Sequence, residues 1–68
     1  GGTACPAMNG ANEEAVAMFL RDETGFYDIY RLVSQAVGKT PFLKNPTLEE
    51  ILEADRLARD AVRNLSHH

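Results

Sequence analysis

A single cysteine, Cys5, occurs in the chain. No intramolecular disulfide can staple the fold, and a reducing compartment is permitted. Histidine is confined to the terminal His67 and His68. That excludes a Cys/His metal cluster and leaves Cys5 without a base for thiol catalysis. The terminal pair reads as a tag remnant, leaving residues 1–66 as the domain. Positive charge is short as well: 7 basic against 10 acidic side chains leave a net charge of −3. A nucleic acid or an anionic membrane surface, which a basic patch attracts, is not an expected partner. No apolar run approaches the ~20 residues of a membrane span. No alternating strand pattern is present, so no Gly-rich phosphate loop can follow a strand.

With 68 residues the chain is one domain. So short a chain buries only about 60% of its unfolded surface and is marginally stable alone. It shows no secretory signal and does not begin with Met. The expectation is a piece of something longer, or a processed product.

What is present is helical periodicity. In Met8–Leu20 the most apolar text of the chain is concentrated. On a helix Ala4, Met8, Ala11, Ala15, Met18 and Phe19 share one face, flanked by Cys5, Val16 and Leu20. This arc exceeds half the circumference, which predicts a central helix packed on two sides. Asn12 falls inside the arc. If buried, its amide must be hydrogen-bonded, so it is expected to hold a loop or neighbouring backbone rather than a ligand. Thr3 is a candidate cap with Pro6 in the first turn, and Asn9 an alternative start with Glu13 and Glu14 near the positive end. The helix is expected to end near Leu20 or Arg21, after which Thr24-Gly25 breaks it.

A second helix is predicted over 27–37, with Phe26, Ile29, Tyr30, Val33, Ala36 and Val37 on its stripe and Gly38 in the left-handed position past its end. The short link from Arg21 to Gly25 makes these two helices antiparallel neighbours. A loop from Lys39 to Pro46 follows, with Phe42 and Leu43 expected as core filler beneath the bundle. Thr47-Leu48-Glu49-Glu50 is a capping box opening a third helix over 48–65. Its stripe is Ile51, Ala54, Ala58, Ala61, Val62 and Leu65. Asp55–Arg59 and Asp60–Arg63 decorate it as exposed pairs, so the charged run from Arg56 to Arg63 reads as a solvated face. The fold class is all-α: a three-helix antiparallel bundle with helices near 4–20, 27–37 and 48–65, an incomplete four-helix bundle.

Catalytic chemistry is sparse. Within Glu13-Glu14 and Glu49-Glu50 the adjacent side chains diverge on a helix, and first-turn placement explains them. Ser34 lies mid-helix and Ser66 in the tail, so neither matches the helix-start serine of an acyl carrier protein.

Three stretches carry a resemblance. Gly1-Gly2-Thr3 followed by Pro6-Ala7-Met8-Asn9-Gly10-Ala11-Asn12-Glu13-Glu14-Ala15-Val16 resembles the C-terminal domain of 1-deoxy-D-xylulose 5-phosphate reductoisomerases. That family writes Asn-Ala-Ala-Asn-Glu before an apolar helix, with Ala where Gly10 stands here. Ala4-Cys5 also departs from the family lead-in. Gly25-Phe26-Tyr27-Asp28-Ile29 is similar to the start of the family's next helix. Thr47-Leu48-Glu49-Glu50-Ile51-Leu52-Glu53-Ala54-Asp55-Arg56, with Ala58-Arg59, is close to its last helix.

The resemblance implies a parent oxidoreductase of the non-mevalonate isoprenoid pathway. That enzyme converts 1-deoxy-D-xylulose 5-phosphate to 2-C-methyl-D-erythritol 4-phosphate with NADPH and magnesium or manganese. It implies a cytoplasmic homodimer, in which this piece is a non-catalytic structural domain partnered by the N-terminal and catalytic domains of the same chain. The family's metal-binding acids and phosphate ligands map onto no position here. No catalytic, cofactor-binding or metal residue is therefore expected, and the fragment alone is expected to be inactive. The competing reading is a freestanding acidic interaction module with Phe42 and Leu43 as its docking edge. One further expectation concerns the wide arc of the first helix. Some of Ala4, Cys5, Met8, Val16 and Leu20 should be left exposed, unless the loop around Phe42 and Leu43 folds over them.

Overall fold

The structure, a computed structural model, describes residues 2–66. Gly1 and the expected tag residues His67 and His68 lie outside that range. Three helices, α1 (Ala4–Leu20), α2 (Asp28–Lys39) and α3 (Leu48–Ser66), pack pairwise against one another. All three lie within two residues of the expected limits.

Small residues set the core. Ala7, Gly10, Ala11 and Ala15 form the buried row of α1, with Met18 at its end. They meet Ala54, Ala58 and Val62 of α3 and Leu32 and Ala36 of α2. Side chains this small let helix backbones approach closely. Of the expected core face of α1, Ala11, Ala15 and Met18 are buried and Phe19 is half-buried, while Ala4 and Met8 lie outside and Ala7 and Gly10 go in, so the face is rotated toward the smaller residues. Leu32, fully buried, was not on the expected stripe, whereas Phe26 and Tyr30 were and are exposed. Ile29, Val33 and Val37 pack against the core from its edge.

The helix ends follow local chemistry. α1 starts early, at Ala4, so Glu13 and Glu14 are mid-helix rather than in its first turn. Its C-terminus closes in a double-bonded cap: Asp22 N–H donates to the Phe19 carbonyl at 3.0 Å and Glu23 N–H to that of Met18 at 2.8 Å. The helix ends at Leu20, as expected, and the chain turns away at Asp22, in the left-handed region at φ 61°, just ahead of Thr24-Gly25. α2 runs through Gly38, which is not left-handed, and stops at Thr40 with extended backbone, ψ 126°. Pro41 excludes the helical conformation from the residue before it, which places the stop later than a glycine signal suggests. At α3 the capping box forms as expected. Glu50 N–H donates to Thr47 Oγ1 at 3.1 Å, and Thr47 N–H to Glu50 Oε1 at 2.9 Å.

Thr3 occupies the N-cap place of α1 but makes no cap bond. Its buried hydroxyl instead donates to the Pro41 carbonyl at 3.2 Å and accepts from Leu43 N–H at 2.8 Å. Thr3 N–H donates to the Leu43 carbonyl at 3.1 Å, beside an antiparallel bridge between Gly2 and Lys44. The loop is anchored by the hydrogen bonds of Thr3, from its hydroxyl and its backbone, rather than by buried apolar side chains. Phe42 and Leu43, expected as core filler, remain 65% and 39% exposed.

Candidate functional site

α1 and α2 together present an exposed apolar face. Along α1 it is the row Met8, Asn12, Val16 and Leu20, spaced by four residues and turned about 100° from the alanine row that goes into the core. Met8, Val16 and Leu20 are 49%, 43% and 74% exposed. Ala4 and Cys5 are exposed too, so all five of the positions of which some were expected to be open are open. α2 contributes Tyr30, with Phe26 and Tyr27 just ahead of it, and the half-buried Val33 and Val37. Phe19, Phe26 and Tyr27 are linked edge to face, with ring centroids 5.7 and 5.5 Å apart. The chain buries alanines and leaves its larger apolar side chains outside. Burial of those side chains is the larger energetic return, which marks the face as a surface for another body.

Three shallow depressions indent this face, and Asn12 lines each. One lies against Phe26, Tyr30 and Val33, one against Val16 and Leu20, and one against Met8, Val33 and Val37. The expectation that Asn12 is a buried node is not met. It is exposed, and its amide makes no hydrogen bond among the described residues. Its reading as a core residue fails because the arc rotated with the alanines.

Glu13 borders this face, and it and many other charged side chains are paired. Arg59 of α3 reaches Glu13 of α1 at 2.6 Å and Asp55 at 3.2 Å. The hydrogen bond that Arg59 donates to Glu13, then those to Asp55, hold its guanidinium above the ordinary pKa. Glu14 lies between Arg21 and Arg63 at 3.7 and 4.0 Å. These acids tie α1 to α3, a role that the expected first-turn placement did not foresee. Arg56 pairs with Glu53 and Asp60, and Arg63 with Asp60, on the solvated side of α3. Ser34 donates to the Tyr30 carbonyl and Ser66 to that of Arg63, so neither hydroxyl is poised as a nucleophile. Cys5 is an exposed free thiol. Among the described residues no three His, Cys, Asp or Glu side chains converge as a metal site.

The arrangement offers an exposed apolar surface for docking. The family described as DXP reductoisomerase C-terminal domain matches residues 1–61. The 1-deoxy-D-xylulose 5-phosphate reductoisomerase of Leptospira interrogans serovar Lai is 45% identical over 65 residues, covering 96% of this chain and 17% of the relative. That of Thermosynechococcus vestitus is 44% identical over 68 residues, covering 96% and 16%. The reductoisomerase 1 of Bacillus thuringiensis subsp. konkukian is 42% identical over 65 residues, covering 96% and 17%. The chain thus spans about one-sixth of the length of the curated relatives it matches. It belongs to the DXP reductoisomerase C-terminal domain family.

Proposed function

We propose that residues 1–66 act as the non-catalytic helical domain of a longer polypeptide, itself a 1-deoxy-D-xylulose 5-phosphate reductoisomerase. The observation that carries this is the family match over residues 1–61, with relatives covered for only 16–17% of their length. In this reading the whole polypeptide reduces and rearranges its substrate with NADPH and a divalent cation, as a cytoplasmic homodimer. The residues here do not fit either cofactor. Among those described, no acid or histidine cluster gathers to bind a cation, and no strand leads into a Gly-rich turn. No hydride-transfer or metal step is assigned to them. A freestanding interaction module is not favoured, because the matched relatives are so much longer.

The role left to the domain is to be held against the rest of the polypeptide through the α1–α2 face. The chain supplies its own probe, since Met8 is on that face and Met18 in the core. Peroxide should oxidise Met8 readily in the 68-residue chain and slowly in the full-length enzyme. Equal rates in both would refute docking through this face. The isolated chain should neither bind NADPH tightly by calorimetry nor turn over substrate. Measurable turnover by the pure chain would sink the non-catalytic assignment.

A further inference from the structure

We propose that Asn9-Gly10 is a self-modification site held shut by α1. When the helix opens, the Gly10 nitrogen closes on the Asn9 carboxamide, and the iso-aspartyl product can no longer rebuild α1. The inference stands on α1 and its packing, and does not depend on what covers the α1–α2 face.

The chain holds four asparagines, and only Asn9 is followed by glycine. Asn12 precedes Glu13, Asn64 precedes Leu65, and Asn45 precedes Pro46, whose nitrogen carries no proton. A side chain on the following residue crowds the approach of its nitrogen to the carboxamide, and glycine has none. In the reaction the Gly10 N–H gives its proton to solvent base and the nitrogen bonds to Asn9 Cγ. The Cγ–Nδ2 bond breaks, and Nδ2 leaves as ammonia with a proton taken from water. Water then opens the five-membered imide. Cleavage at Cγ leaves aspartate. Cleavage at the main-chain carbonyl leaves iso-aspartate, with the chain running through the side-chain carbon. No oxidation or reduction takes place.

Folded α1 blocks the first step in three ways. Asn9 is exposed but mid-helix, where ψ of about −42° keeps the Gly10 nitrogen out of line with Cγ. The helical ladder directs the Gly10 N–H at the Pro6 carbonyl. Gly10 is also buried against Asp55 of α3, where an added Cβ would meet the Asp55 carbonyl oxygen at 2.9 Å, so solvent base does not reach it. So small a core is marginal, and the helix opens. Where opening and closing are fast beside the chemistry, attack on an opened chain goes in proportion to the open fraction. The product then bars the way back. Iso-aspartate adds one carbon to the main chain between Ala7 and Ala11. These residues and Ala15 share one buried cluster with Ala58 and Val62, and so close a packing does not absorb a shift of register. Aspartate at the same place changes only an exposed side chain.

The experiment incubates the 68-residue chain in mildly alkaline buffer, with and without urea above its unfolding midpoint. Peptide mass spectrometry reads amide loss at each asparagine, and electron-transfer fragmentation separates iso-aspartate from aspartate. In urea Asn9 should convert ahead of Asn12, Asn45 and Asn64. Without urea, with helix confirmed by circular dichroism, its rate should fall about a hundredfold. Thr3→Val removes the hydroxyl bonded to Pro41 and Leu43, far from the reacting atoms in sequence. It should leave the rate in urea unchanged and raise the native rate by the factor by which it raises the unfolded fraction. Should this variant not fold at all, its rate without urea should match the rate in urea. The purified iso-aspartyl chain should fail to regain the helical spectrum, whereas Asn9→Asp should refold. Equal Asn9 rates with and without urea would overturn the protection by α1, as would a native rate indifferent to a destabilising Thr3→Val. An iso-aspartyl chain that refolds like the parent would overturn the barred return. Failure of Asn9→Asp alongside it would overturn the role of the lengthened backbone and assign the effect to charge.

Discussion

Gly10 of α1 lies against Asp55 of α3 with no room for a side chain between them. A Cβ on Gly10 would sit 2.9 Å from the Asp55 carbonyl oxygen and closer still to its carboxylate. This close approach explains a mid-helix glycine that propensity alone disfavours. It also places Asp55 beside Arg59, which bridges to Glu13 one turn further along α1.

The contact makes a counterintuitive prediction. Gly10→Ala should raise the helix propensity of α1 by about 1 kcal/mol. It should nevertheless destabilise the chain, because overpacking against a backbone carbonyl costs about 1–3 kcal/mol and the carbonyl cannot rotate away. Urea denaturation should show a net loss. A rise in midpoint would mean that α1 and α3 separate easily and that the close approach is unimportant.

Thr3 yields the second prediction. Thr3→Val keeps the shape but removes the acceptor for Leu43 N–H and the donor to the Pro41 carbonyl. Loss of a buried side-chain partner costs about 1–3 kcal/mol. Thr3→Ser should retain most of the stability, as it keeps both hydrogen bonds. If Val and Ser variants unfold at the same urea concentration, the hydroxyl does not anchor the loop.

Much of this fold is legible in the sequence, and the exceptions have a common cause. Helix limits are local properties: Thr47 and Glu50 announce the start of α3 by chemistry that needs no tertiary context. Facing is not local. α1 carries apolar residues over more than half its circumference, so hydrophobicity could not choose between the row of Ala7 and that of Met8. Size chose, since alanine and glycine admit α3 where methionine would hold it off. That choice moved Asn12 out of the core. For the same reason Phe26 and Tyr30 obey the period of α2 yet stay outside, while Leu32 fills the centre. The excess width of the arc did foretell that some of Ala4, Cys5, Met8, Val16 and Leu20 would be open, though not that all five are. It could not foretell the aromatics that α2 adds beside them.

A third prediction concerns pH. The hydrogen bond from Arg56 holds the Glu53 carboxyl below its ordinary value of 4.5. A carboxylate with a depressed folded pKa contributes stability above its unfolded pKa, and that contribution is lost as pH falls through the folded value. Arg56→Gln should therefore raise the Glu53 pKa in a carbon-detected NMR titration. It should matter to stability near neutral pH and cease to matter in acid. Because both groups are solvent-exposed, the stability difference should also shrink in high salt. A Glu53 titration that ignores the Arg56 substitution would remove the pair as its cause.

The turn after α1 gives the last prediction, through Asp22. Its backbone is left-handed, at φ 61°, and its N–H closes the helix on the Phe19 carbonyl. Two features are unfavourable there. An L-residue in this region crowds its Cβ against the carbonyl, a penalty that glycine escapes. A negative charge just past a helix C-terminus also opposes the helix dipole, at a cost of about 0.3–1 kcal/mol. Asp22→Asn removes only the charge and keeps a side chain that tolerates the left-handed region, so it should stabilise by a few tenths of a kcal/mol. Asp22→Gly removes both penalties. Against that, glycine raises the entropy of the unfolded chain by about 0.4–1 kcal/mol. The net should still be a gain near 0.5 kcal/mol, as the frequency of glycine at this cap position suggests. Asp22→Ala loses the charge but keeps the Cβ without any local hydrogen-bonding compensation, so it should fall below Asn. The expected order of thermal midpoints is Gly, then Asn, then Ala. Should Ala equal Gly, the left-handed geometry carries no strain and charge alone accounts for the series.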